Sequence, residues 1–512
     1  MAPSRPDLDD TGLDDPDPVP DRFATPTTLS RRSPATGEIV GEYPIAGETE
    51  VGAAVERART AATWWAALPA DRRRTHLLAW KRGLARGADD LAALIRAETG
   101  KPLTDAGLEV MLAVEHLDWA ARNAHRVLRP RTVRSGVLAA NQRGVLGYRP
   151  LGVVGVIGPW NYPVYTPLGS VSYALAAGNA VVFKPSEYTP GVAQWLAERF
   201  VAAVGEPVLQ VVTGDGGTGA ALCRAGVDKI AFTGSTATAK TVMAACAETL
   251  TPLVVEAGGK DAMIVAADAD VDAAAAAAVF GGMGNAGQTC AGVERVYVER
   301  PVYSAFVDAV RARAEALRPG AGDEADYGPL TMPRQADVIA GHVADALARG
   351  GRPVVGGADA VRPPYVDPVV LTDVPEDSSA VTEETFGPVL VINPVDDLDD
   401  AVRRANASTL GLAGSVFTKD TRRGAAIAAR LRTGAASVNS VLGFAAIPAL
   451  PFGGVGDSGF GRIHGADGLR EFSRAGALTV QRFPAPLDLM RFDRSPRAVA
   501  MAWRVFRLRH AR

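Results

Sequence analysis

Residues 281–290 read GGMGNAGQTC, so an alanine-rich run ends in a loop of small residues that presents Cys290. Small neighbours let a substrate approach the backbone, and the Cys290 amide N–H can face the same space as its thiol. Such a thiol can add to an electrophilic carbon if a perturbed pKa or a nearby base supplies the thiolate. Taken alone, a cysteine is more often a small buried hydrophobe. The second group able to do chemistry is Glu256, in VVEAGGK at 254–260, where an apolar strand meets Gly-Gly. Partial burial there would raise a carboxyl toward neutrality and make it a general base. Its plain alternative is an exposed acid beside a glycine turn.

Two alternating patterns must position these groups. From Leu151 onward, LGVVGVIGP, NAVVFKP, VLQVVTG, DKIAFTG and PLVVEAGG read as strands separated by helices, among them one from Gly191 to near Gly205. Short apolar runs alternating with helices and closed by Gly or Pro predict a parallel sheet covered on both faces. A second unit begins near Gly258 with the strand AMIVAA and an Ala-rich helix over 271–280, and alternation continues to about 449. Before the first sheet, Ala66 to Trp80 repeats apolar residues at helical spacing. Residues 131–149 carry turn formers between alternating runs and read as a two-stranded ribbon.

GNAGQTC closely resembles the nucleophile segment of the aldehyde dehydrogenase superfamily, and the resemblance runs from about 30 to 480 with the motifs in the family's order. VVEAGGK resembles the segment of the general base, and GPWNYP at 158–163 the segment of an oxyanion-stabilising amide, here Asn161. EETFGP at 383–388, SVN at 437–439 and PFGGVGDSGFGR at 451–462 complete the set. The resemblance implies oxidation of an aldehyde to the acid. Cys290 would form a thiohemiacetal, hydride would pass to the nicotinamide, and Glu256 would activate the water that hydrolyses the thioester. It implies a cofactor at the strand ends, where doubly wound sheets place ligands: NAD, with NADP also accepted. Lys184 and Glu187 of KPSE would hold the adenosine ribose, and Gly234 and Ser235 of FTGSTATA the pyrophosphate at a helix N-terminus. Trp160, Glu384 and Phe386 would lie about the nicotinamide and its ribose. The carboxylate of Glu187 would repel a 2′-phosphate and so favours NAD. Departures from the family pattern are Ala239, Ala257, Asp261 and Leu410.

The expected fold is α/β, with two doubly wound Rossmann-like domains and a small β oligomerisation ribbon. Residues 1–25 form a disordered acidic tail; 26–130 and 150–257 form the NAD(P)-binding domain, and 258–449 the catalytic domain. Residues 131–149 and 450–490 are oligomerisation elements of a homodimer or homotetramer, and 491–512 form a basic amphipathic tail. In that tail, seven Arg against one Asp, with Trp503 and Phe506 at helical spacing, suit either peripheral contact with an anionic membrane or docking on the enzyme or a neighbouring subunit. A net charge of −3 over 512 residues gives no reason to expect nucleic acid. Three cysteines without paired or metal-ligand spacing indicate no metal site and fit a reducing cytoplasm. Residues 162–177, with Tyr162, Tyr165 and Leu168, and the loop Val441–Leu450 would wall an apolar aldehyde tunnel. Arg295, the nearest cation in sequence, is read as scaffold. An apolar aliphatic or aromatic aldehyde is therefore expected, with succinic semialdehyde as the alternative. A CoA-acylating or non-catalytic relative would lack Glu256 or another member of the trio.

Overall fold

The structure is a computed structural model that describes residues 27–136, 139–484, 489 and 491–511. The acidic tail expected over 1–25 lies outside the described residues. Five parallel strands, Leu253–Glu256, Lys229–Thr233, Val153–Ile157, Ala180–Lys184 and Leu209–Val211, lie in that spatial order. A short antiparallel strand, Gly459–Phe460, borders the first of them. Val153–Ile157 and Ala180–Lys184 are buried at every residue, as a parallel sheet covered by helices on both faces requires. The chain runs outward from Val153–Ile157 in both directions, which leaves a crevice at the strand ends.

A second sheet of seven strands takes the order Arg352–Val355, Val369–Thr372, Val389–Val395, Val293–Glu299, Asp261–Val265, Ala413–Phe417, Ala435–Val438. It is parallel except at the Arg352–Val355 edge. Each sheet has its own apolar core. Both are doubly wound α/β units of the expected class.

Local chemistry explains the junctions. Asn179 follows Gly178, which has φ 98° and ends the Tyr165–Ala176 helix. The wholly buried Asn179 amide donates to the Ala174 and Phe472 carbonyls and accepts from Leu151 and Gly152 N–H, so every polar group it has is used. That one side chain ties the start of the central strand to the far C-terminal segment.

Two readings are refined. The helical stretch expected across Ala66–Trp80 is two helices, Glu48–Ala67 and Ala70–Arg86. Pro69 separates them because a residue before proline is driven out of the α region, and Leu68 stands at ψ 138°. The ribbon also has a third strand. Gln142–Pro150 pairs with Arg131–Val133 on one side and, over its full length, with Ser473–Gln481 on the other. The Ser473–Gln481 strand is almost wholly exposed.

Candidate active site

The Val271–Met283 helix is capped by Asp270 and delivers the chain to a turn with three consecutive left-handed residues. Asn285, Ala286 and Gly287 have φ of 55°, 56° and 70°. A side chain on Gly287 would collide with the Gly387 carbonyl, so only glycine fits there. The strained turn is locked by amides. Asn285 Nδ2 reaches the Asn161 and Gln288 carbonyls, both at 3.1 Å. Gln288 Nε2 returns to the Asn285 carbonyl at 2.9 Å, and its Oε1 accepts from Thr331 N–H at 2.8 Å. Cys290 follows, half-buried, at the mouth of the Val293–Glu299 strand. Burial pushes its thiol pKa up, and the carboxyls of Glu256, Glu384 and Asp261 push the same way.

Asn161 comes from the loop after Val153–Ile157 and is buried. One N–H of its amide goes to the Gln288 carbonyl at 3.0 Å, leaving the second N–H for an oxygen beside Cys290. Glu256 ends its strand opposite Gly459. It is buried; Oε1 has no hydrogen-bond partner and Oε2 accepts only a long 3.4 Å contact from Thr233 Oγ1. Burial raises the carboxyl to about 8. A buried carboxyl held so loosely is free to move a proton.

The strand ends carry the remaining expected groups. Lys184 closes Ala180–Lys184 with a buried ammonium, and Glu187 Oε2 lies 4.0 Å from it, too far for a direct hydrogen bond. A cation and a carboxylate so spaced leave donors and acceptors for vicinal hydroxyls. Ser235 caps the Thr236–Ala247 helix, whose first N–H groups suit a phosphate. Gly234 precedes it, and Ala239 is buried within the helix packing, one turn from that end. Trp160 meets Phe386 edge to face at 5.5 Å. Phe386 itself has φ 50°. Glu384 accepts from Gly259 N–H at 3.0 Å, which places it beside the base segment, and burial raises it to about 8. These features fit a nicotinamide dinucleotide.

Two buried ion pairs, to which the sequence alone assigned no role, support the site. Lys101 Nζ meets Glu109 Oε2 at 2.8 Å and the Asn161 carbonyl at 2.8 Å, and it lies 4.3 Å from the centre of the Tyr162 ring. Glu109 Oε1 accepts from Val164 and Tyr165 N–H. The pair thus holds the whole Asn161–Tyr165 turn. Lys260 pairs with Glu294 and donates to Thr385 Oγ1, while Glu294 accepts from the N–H groups of Thr385 and Phe386. This second pair holds Phe386 in its unusual backbone. Breaking either would leave a buried charge at a cost of about 3–5 kcal/mol. The signal for the first is Glu109, a carboxyl in the apolar stripe Ala106, Val110, Ala113.

The departures from the family pattern fall in the scaffold. Ala257 is buried, and Asp261 accepts from Ala413 N–H with burial raising its pKa well above the carboxylate range. Arg295 is buried and donates to the Lys260, Arg404 and Ala405 carbonyls. The two expected tunnel walls do meet. Tyr165 OH and His116 Nε2 both donate to the Ala445 carbonyl, at 3.1 and 2.8 Å, and Tyr173 OH donates to Pro448.

The model of the aldehyde dehydrogenase family matches residues 23–477. The chain is 38% identical to a 4,4'-diapolycopene aldehyde oxidase of Methylomonas sp, over 87% of this chain and 84% of the relative. It is 37% identical to a probable succinate-semialdehyde dehydrogenase [NADP(+)] of Sinorhizobium fredii, over 86% and 90%. Its fold superposes on that of a Mycobacterium tuberculosis aldehyde dehydrogenase complexed with NAD+ with a TM-score of 0.85, at 36% identity, covering 90% of this chain and 96% of that one. With the thiol, the carboxyl and the amide gathered at the ends of two doubly wound sheets, the chain belongs to the aldehyde dehydrogenase family, as an NAD(P)-dependent enzyme of aldehyde oxidation.

Proposed function

We propose that the enzyme oxidises apolar aldehydes, with Cys290 as nucleophile, Asn161 as oxyanion donor and Glu256 as general base. The single observation that carries the roles is the loosely held, buried Glu256 carboxyl beside the Cys290 thiol. Once its thiol proton has passed to solvent, Cys290 Sγ bonds to the carbonyl carbon, and the resulting oxyanion accepts hydrogen bonds from the free Asn161 N–H and the Cys290 amide. One such donor is worth about 3–4 kcal/mol of barrier. When bound, NAD(P)+ would supply the acceptor for the hydride of the thiohemiacetal carbon. Lys184, Glu187, Gly234, Ser235, Glu384, Trp160 and Phe386 are the residues that would hold it. Glu256 then takes a proton from water as the hydroxide adds to the thioester, and the acid leaves as the thiol reforms. A CoA-acylating enzyme would need no such base.

In domain terms, 26–130 and 150–257 would bind the cofactor, and 258–449 would carry the nucleophile. Glu187 at the ribose position favours NAD, with NADP as second cofactor. Three free thiols suit a reducing cytoplasm.

The substrate reading rests on how the cations nearest the site, among the described residues, are engaged. Arg295 is committed to carbonyls and Lys101 to Glu109, while Arg462 donates through Nη1 to the Gly454 and Gly461 carbonyls and its charge acts on Glu256. Tyr165, Leu168, Phe444 and Phe452 form an apolar surround, which suits a relative named a 4,4'-diapolycopene aldehyde oxidase. Succinic semialdehyde, named in other relatives, would need a cationic partner for its carboxylate. Steady-state kinetics with hexanal, benzaldehyde and succinic semialdehyde, each with NAD and NADP, test this. A higher kcat/KM for the two apolar aldehydes is expected; a large advantage for the semialdehyde overturns the assignment.

The exposed Ser473–Gln481 strand offers an unpaired edge, which suits assembly as a homodimer or homotetramer. No helix among the described residues is long and apolar enough to cross a membrane. The Pro496–His510 helix buries no residue, exposes Met501, Trp503, Phe506 and Leu508, and holds Arg497, Arg504, Arg507 and Arg509 without an acid. That composition suits an anionic lipid surface. Full-length protein is expected to sediment with anionic vesicles and a chain ending at 490 is not; equal binding by both removes the idea.

A further inference from the structure

The Tyr165–Ala176 helix turns one face to the reaction centre. Tyr165 is electrostatically coupled to Glu256 and Cys290, and its ring meets His116 edge to face at 5.3 Å. Gly169 lies one turn further along the same face, and there the helix offers no side chain. The room is filled from another part of the chain: a Cβ on Gly169 would stand 2.5 Å from His464 Nε2.

His464 occupies that place at a cost. Its backbone has φ 62° and ψ 166°, a region almost confined to glycine and worth about 1–3 kcal/mol of strain. The side chain is 2% exposed and Nε2 has no hydrogen-bond partner, so polar contacts at that nitrogen do not offset the strain. What the ring does have is contact with other rings. It lies 4.0 Å from His116, 5.7 Å from Tyr165 and 6.1 Å from Phe452, all centre to centre. Phe452 stacks on Phe444 at 5.5 Å, and both join the apolar cluster that includes Cys290. His464 therefore packs between the helix wall and Phe452, which stacks on Phe444 of the 441–450 wall, at the point where the helix is bare.

We propose that His464 is a specificity-determining residue: its imidazole closes the aldehyde tunnel over Gly169, admitting chain and single-ring aldehydes and excluding wider ones. The proposal rests on the reading of Cys290 as the nucleophile. A glycine at 464 would relieve the strain and open the wall, and an asparagine, which tolerates positive φ, would open it partly. In a hydrophobic pocket a change of one methylene shifts discrimination by roughly 10–200-fold.

The test compares kcat/KM for hexanal and 2-naphthaldehyde in the wild type, His464→Gly and His464→Asn, with melting temperatures. The expected result is a naphthaldehyde-to-hexanal ratio at least 10-fold above wild type in the glycine variant. A smaller rise is expected for asparagine. A residue of purely structural importance would lower the melting temperature and leave the ratio alone. A ratio within twofold of wild type in either folded variant, with hexanal turnover still dependent on Cys290, overturns the role of His464 and leaves the reading of Cys290 intact.

Discussion

Replacing Cys290 by alanine is expected to lower kcat/KM for aldehyde oxidation by on the order of 10,000-fold or more, as removal of a nucleophile does in other covalent mechanisms. The protein should still fold. Cys290 is half-buried at a loop, and the turn before it is held by Asn285, Gln288 and Asn161 rather than by the thiol. The other two thiols provide the control. Cys223 and Cys246 are buried in the core of the sheet that contains Val153–Ile157. Their alanine variants should keep the wild-type turnover number and lose stability instead, by about 1–3 kcal/mol each for the cavity left in the core. Initial rates of NADH formation and thermal melts on the three variants separate the roles. Wild-type rates from Cys290→Ala would overturn the covalent mechanism altogether.

Much of this site was legible in the sequence because its parts sit at places that pattern reveals. Lys184, Glu256 and Ser235 stand at the ends of short apolar strands or the start of a helix, where period and glycine mark the boundary. The support was less legible, for a physical reason. Lys101 and Glu109 act through the backbone of Asn161, Val164 and Tyr165, some 55 residues further on, and no local pattern reports a contact across that distance. The only trace is a pair of ionisable residues, Glu109 and His116, in the apolar stripe of the Leu103–Leu128 helix. His464 left less trace still. A histidine before a glycine looks ordinary, and its left-handed backbone and the bare Gly169 opposite appear only in three dimensions. At Leu68 the helical period across Ala66–Trp80 conflicts with the helix-breaking Pro69, and the proline prevails.

Replacing Glu256 by glutamine should leave the first half-reaction and stop the second. The thiohemiacetal can form and lose hydride without this carboxyl, so a single equivalent of NADH per site should appear rapidly. Hydrolysis of the thioester then stalls, and steady-state turnover falls by roughly 100- to 10,000-fold, the range for loss of a general base. Acyl-enzyme on Cys290 should be visible by mass spectrometry. The pH dependence has a definite sign. Because burial raises Glu256 to about 8, its basic form is lost as pH falls through that value. Deacylation-limited kcat in the wild type should therefore rise nearly tenfold from about pH 7 to about pH 9, and the glutamine variant should lack this limb. Stability runs the other way. A carboxyl with a raised folded-state pKa contributes most below its unfolded value near 4.3 and loses that contribution as pH rises through about 8. Glutamine carries no charge to bury, so its melting temperature should exceed that of wild type by an amount that grows from pH 5 to pH 8 and then levels off. An enzyme variant that gains stability with pH while losing only its second half-reaction would identify Glu256 as a base kept in place against the stability of the fold. Steady NADH production without a burst, or an unchanged pH limb, would assign the water-activating role to another group.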